Sequence, residues 1–136
     1  MNARRGFLML AGLTPLLLVA PASAGSYLNR AAMLVIVASR ESQFLRGRVN
    51  DKDLAELVHA QATARLAAAS RMNVPKEVVQ AHPHLLLTLE NYERSASAAL
   101  DGHNDRFLVY QQRARDEENI LRGVLRQLGW ALPDFK

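Results

Sequence analysis

Two short arrays in the sequence have spacings that could do chemistry. Glu56-Leu57-Val58-His59 carries the Glu-x-x-His spacing with which two helices of a bundle, joined by glutamates from the other two, hold paired iron or manganese ions. The array occurs once. Ile120 and Leu121 follow Glu117 and Glu118 at the distance where a second histidine is required. Glu56 also projects away from the side marked by Leu54, Val58 and Met72, so it reads better as an acid at the start of a helix. His82-Pro83-His84 is the other array, since imidazoles two residues apart can share a copper, nickel or zinc ion. Four histidines are present, but they do not converge on the helical register set out below. His103 lies in the loop beyond the far end of the helix that His82 and His84 open, about 27 Å away at ~1.5 Å per residue. His82 then reads equally as a residue shaping the helix start before Pro83.

These residues must be positioned by helices. From Ser26 to Val49 the apolar residues Tyr27, Ala31, Leu34, Ala38 and Leu45 recur at alternating spacings of four and three, which traces one helical face. Asn50-Asp51-Lys52-Asp53 breaks that pattern, and Asp53-Leu54-Ala55-Glu56 has the spacing of a capping box opening a second helix that runs to about Met72. Pro75 suits a first helical turn. A short helix from Pro75 to Ala81 is expected, split or kinked at Pro83 from a long one reaching Leu100. Asp101-Gly102-His103-Asn104 ends it, Asn104 or Asp105 caps a fourth helix to about Leu128, and Gly129 with Pro133 closes the pattern. Connections of about two to four residues force neighbours to run antiparallel. The expected fold is all-α, an up-down-up-down antiparallel four-helix bundle over residues 25–136.

On these helices the third seam reads Leu85, Leu89, Tyr92, Ala96, Ala99 and the fourth Phe107, Tyr110, Ala114, Glu117, Leu121, Val124, Leu128. The second reads Leu54, Val58, Gln61, Arg65, Ala68 or Ala69, Met72, and Glu41 falls on the first between Ala38 and Leu45. Polar residues therefore stand where a bundle wants apolar ones. Counted from the loops, Glu41, Gln61 and Tyr92 share one level, and Arg65 and Glu117 lie about one turn lower. This predicts a polar core layer containing an Arg65–Glu117 ion pair reaching across the bundle diagonal. The competing expectation is a rotation of ~40–50° that carries these residues to the surface, with the Arg65 stem lying over the core.

The first residues concern destination. Arg4 and Arg5 precede an apolar run from Phe7 to Val19, and Ala22-Ser23-Ala24 forms a small-x-small site before Gly25. This is the layout of a secretory signal peptide, residues 1–24, and its apolar run is too short for the roughly 20 residues of a membrane span. Arg4-Arg5-Gly6-Phe7-Leu8 resembles the twin-arginine export motif, with Ala3 where that motif has Ser or Thr and Met9 where Lys is common. The resemblance implies folding before export.

Composition removes several classes. The absence of cysteine excludes disulfides, thiolate metal sites and a cysteine nucleophile. Of the 17 Lys and Arg, Arg4 and Arg5 lie in the leader and none of the 13 Asp and Glu does, so the mature chain carries 17 − 2 − 13 = +2. With basic and acidic residues interleaved, nucleic-acid binding has no electrostatic footprint. No phosphate loop, nucleophile elbow or haem attachment motif is present, and no cofactor is implied.

The expectation is an exported, periplasmic or secreted, non-enzymatic bundle that binds a partner protein or small ligand. Met33 and Ile36 lie off the first seam and, with Trp130 in the tail, form a candidate partner surface or homo-oligomer contact. Two other readings are a metal or small-cofactor carrier using His82 and His84 or the polar layer, and a membrane-tethered adaptor that retains residues 1–24.

Overall fold

The computed structural model describes residues 23–135, so residues 1–22, with the Arg4-Arg5 motif, lie outside the described residues, while Ser23 and Ala24, the last two of the expected leader, stand at the start of the first helix. Four helices pack against one another: α1 (Ala24–Arg46), α2 (Lys52–Ser70), α3 (His82–Leu100) and α4 (Asn104–Gln127). A 3₁₀ turn, Lys76–Val78, precedes α3. There is no strand among the described residues, and none of their helices is long and apolar enough to cross a membrane.

The helix ends are set by local chemistry. Ser23 caps α1 by accepting from the Ser26 N–H at 3.1 Å. Asp51 caps α2, accepting from the Leu54 N–H at 3.0 Å. The cap therefore stands two residues before the expected Asp53, which lies in the first turn near the positive helix end, and Glu56 is exposed. Pro83 occupies the first turn of α3, where its missing N–H has no helical partner to lose. The expected split thus falls before α3, between the 3₁₀ turn and His82. The α2–α3 connection, residues 71–81, is longer than expected because it holds that turn and the buried Pro75, Val78 and Ala81.

Two glycines with positive φ close α3 and α4. Gly102 (φ 79°) lets His103 N–H donate to the Ala98 carbonyl at 2.8 Å, and Gly129 (φ 86°) lets Trp130 N–H donate to Leu125 at 2.8 Å. Both are Schellman closures, which need the left-handed conformation that glycine adopts without a Cβ penalty. Lys52, at the start of α2, donates from Nζ to the Ala99 and Leu100 carbonyls at 3.1 and 3.2 Å, tying α2 to the end of α3.

The core has two apolar parts. One end gathers Tyr27, Ala31, Val35, Leu85, Leu89 and Leu121 with the buried Leu132 of the tail. The other gathers Leu45, Ala55, Val58, Ala96, Ala99 and Phe107. Small residues on α2 (Ala55, Ala62, Ala69) and α3 (Ser95, Ala96, Ala98, Ala99) allow close backbone approach. Between the two parts lie the buried polar Ser42, Ser95 and Gln111.

The third seam is buried as expected at Leu85, Leu89, Tyr92, Ala96 and Ala99. The other three helices are rotated relative to the expected seams. Val35 and Ser42 are buried on α1 where Leu34 and Glu41 were expected, and Ala55 and Ala62 on α2 where Leu54 and Gln61 were expected. On α4, Gln111 and Leu125 are buried in place of Tyr110 and Val124. Each shift moves alternate seam positions one residue later, a rotation of about 50° at ~100° per residue.

Candidate functional site

The rotation redistributes the expected polar layer. Arg65 of α2 pairs with Glu41 of α1, its adjacent helix, and not with Glu117. Gln61, one turn from Arg65 and exposed, donates its amide N–H to both Glu41 oxygens at 2.8 and 2.7 Å when its nitrogen faces the carboxylate, the orientation the network requires. The Arg65 side chain keeps 12% of its surface in solvent and Glu41 keeps 23%, so the pair sits at the α1–α2 boundary over the core. Glu117 instead accepts from the His84 ring at Nδ1, 3.2 Å away across the α3–α4 boundary. The diagonal Arg65–Glu117 contact does not form, because both helices present these residues to their neighbours rather than to the centre.

Tyr92 alone of the expected layer is in the core. Burial raises its phenol pKa, a hydrogen bond from Ser39 lowers it in part, and Glu118 and Arg115 act in opposite directions from α4. The buried polar centre is elsewhere. Gln111 Nε2 donates to the Ser42 carbonyl at 3.1 Å and to its hydroxyl at 2.8 Å, and Arg46 donates to Gln111 Oε1 at 3.2 Å. No buried side-chain nitrogen or oxygen among the described residues lacks a partner. Gln111 stands four residues after Phe107 and three before Ala114, so the alternate seam of α4 was the signal for it.

His82 and His84 serve different neighbours. The Tyr27 hydroxyl meets His82 Nδ1 at 2.9 Å, with the rings tilted by 60° and their centroids 5.7 Å apart. Burial pushes the Tyr27 phenol up to about 12 and lowers the His82 pKa, partly offset by a hydrogen bond to the Ala69 backbone. Tyr27 therefore donates to a neutral ring. His59 pairs with Glu93 at 2.8 Å. No group of three or more histidine, aspartate or glutamate side chains among the described residues is close enough to hold a metal ion.

Of the expected partner surface, Met33 remains 54% exposed, whereas Ile36 and Trp130 pack partly against the main core. The α1 rotation turns Ile36 inward, and the glycine closure at Gly129 folds Trp130 back on the bundle. Met33 belongs to a different surface. The spacing of Met33, Val37, Arg40 and Phe44 on α1, and of Leu57, Gln61, Ala64 and Ala68 on α2 with Arg71 at its C-cap, places each set on one outward stripe. Phe44 and Leu57 are 53% and 55% exposed.

Two grooves lie on this face. The larger, about 760 Å³, has an apolar lining of Met33, Leu34, Ala68, Met72 and Phe135, with Asn29, Arg30, Arg71 and Asn73 as its polar residues. The smaller, about 390 Å³, runs between Phe44 on α1 and Leu54, Leu57 and Val58 on α2, with Arg40, Glu41 and Gln61 at its polar edge. Arg65 follows Gln61 by one turn, so the Glu41–Arg65 bridge lies along the seam between the two. Arg40 also donates from Nη2 to the Phe135 carbonyl at 3.2 Å, which pins the end of the tail onto α1.

No family model, curated protein or solved structure matches the chain.

Proposed function

We propose that this protein is an exported, non-catalytic binding module whose working surface is the outward face of α1 and α2. One observation carries the reading: Met33, Phe44 and Leu57 stay more than half exposed on one face and frame its two grooves. Scattered exposed apolar residues are ordinary, but a row of them at helical spacing beside a groove of ligand size is the signature of a binding surface. The conspicuous polar residues support this by their engagement elsewhere. Glu41 and Arg65 pair with each other, His82 with Tyr27, and His84 with Glu117. The export half of the proposal rests on the leader layout of residues 1–24.

Expressing the full chain with its own leader, then taking native mass spectra of the exported fraction, tests both halves. The expected result is a chain beginning at Gly25 with a bound mass that Met33→Glu removes while the thermal midpoint stays unchanged. A chain that keeps Met1 and stays inside the cell overturns export. A bare chain, identical in wild type and Met33→Glu, overturns the binding surface.

A further inference from the structure

We infer that the larger α1–α2 groove takes an aliphatic monocarboxylate, its chain laid on Met33, Leu34 and Met72 and its carboxylate held between Arg30 and Arg71. The inference rests on the proposed binding surface and names what that surface accepts.

Three observations lead to this class. The floor is apolar and built largely from two methionines and a leucine, flexible side chains that adapt to a chain of variable shape. At about 760 Å³ the groove is within the range of small-molecule sites. Its charged residues are of one sign. Arg30 comes from α1 and Arg71 from the residue that follows α2, and among the described residues no carboxylate lines the groove and neither arginine has an ion-pair partner. An apolar lining with two exposed guanidiniums complements an apolar chain ending in one anionic group.

The same geometry disfavours larger occupants. The Arg40–Phe135 hydrogen bond brings the tail across the outward face of α1, and the Phe135 ring walls the groove beside Met33. A partner helix laid along α1 and α2 would meet this tail. A second copy docked through the same face would bring together two surfaces that each carry Arg30, Arg40 and Arg71, and like charge opposes that contact. A short, chain-like anion meets neither obstacle.

The exported protein is titrated with dodecanoate below its micellar concentration, and the heat of binding is followed by isothermal titration calorimetry. Saturable one-to-one binding is expected, with dodecanol and dodecyltrimethylammonium at least tenfold weaker. Arg30→Ala and Arg71→Ala should each weaken dodecanoate about tenfold with an unchanged thermal midpoint, since both side chains are exposed. Met33→Glu should abolish binding.

Equal binding of dodecanoate and dodecanol, lost in Met33→Glu, overturns the carboxylate inference and leaves the binding surface standing. Binding to phosphatidylglycerol vesicles without binding of free dodecanoate assigns the face to a membrane and overturns it. So does a concentration-dependent dimer that Met33→Glu dissolves, or a mass showing residues 1–24 retained on a protein that binds no dodecanoate. If no probe, dimer or vesicle distinguishes wild type from Met33→Glu, the binding surface itself fails.

Discussion

Arg65 of α2 finds its carboxylate on α1, at Glu41, and leaves Glu117 to His84 on the other side of the bundle. The distinction matters energetically. A pair at a helix boundary, 12% and 23% exposed, avoids most of the desolvation that a guanidinium crossing the core would suffer. Arg65→Ala should therefore cost about 1–2 kcal/mol, between the values for exposed and fully buried pairs, part of it from lost packing of the arginine stem. Urea unfolding in a double-mutant cycle checks the partner. Coupling is expected between Arg65→Ala and Glu41→Ala, and strict additivity between Arg65→Ala and Glu117→Ala.

The Tyr27–His82 hydrogen bond sets limits on stability at both ends of the pH scale. His82 has a lowered pKa in the folded state, so the unfolded chain binds the proton more readily. Its contribution is complete above the ordinary value of 6.5 and declines as pH falls below it. Tyr27 is raised from 10.0 to about 12, so the unfolded chain loses that proton first. Its contribution is complete below 10.0 and is lost as pH rises toward about 12. Tyr27→Phe should remove its share of the alkaline limb, on the order of 2 kcal/mol, leave the part due to the buried Tyr92 phenol, and cost about 1 kcal/mol at neutral pH for the hydrogen bond. Thermal midpoints measured from pH 4 to pH 11 for both proteins would show whether the alkaline decline belongs to this phenol.

Gln111 holds α4 to α1 through the core. Replacing it with methionine keeps the volume but strips the donor from Ser42 and the acceptor from Arg46. The expected loss is about 1–3 kcal/mol, because the Ser42 groups remain buried. Gln112→Met, one residue later and exposed, should change stability by less than about 0.5 kcal/mol. Equal losses at the two positions in denaturant melts would remove Gln111 from its place as the polar centre.

Glycine substitutions separate conformational need from convenience. Gly102→Ala should cost about 1 kcal/mol, because a φ of 79° penalises a side chain and the new Cβ would stand 3.2 Å from Lys52 Nζ. Gly123→Ala lies inside α4 with its nearest new contact at 3.8 Å, and should stabilise by about 0.5–1 kcal/mol. Opposite shifts in thermal midpoint are the expected pattern. A stabilised Gly102→Ala would mean that the α3 closure does not depend on the left-handed residue.

Periodicity in the sequence determines the four helices, their order and the inward face of α3. On α3, Leu89 and Tyr92 stand out among Thr88, Glu90, Asn91 and Glu93, and they fix which member of the run Leu85-Leu86-Leu87 continues the seam. The stops are equally local. Gly102, Gly129 and Pro83 act through their own backbone restrictions, whatever surrounds them. For α1, α2 and α4 the sequence left two faces open, the polar layer and a turn of ~40–50° away from it. The expected seams have an apolar residue one position later at Val35, Ala55, Ala62 and Leu125, so a turn of about 50° leaves an apolar stripe on each helix and changes the local pattern little. Only packing against the other helices chooses between such faces. That choice buried Gln111 and Ser42, sent Arg65 to Glu41, and left Met33, Phe44 and Leu57 outside. The groove between Arg30 and Arg71 likewise joins residues far apart in the chain, and it exists only because the tertiary structure lays α1, the end of α2 and the tail side by side.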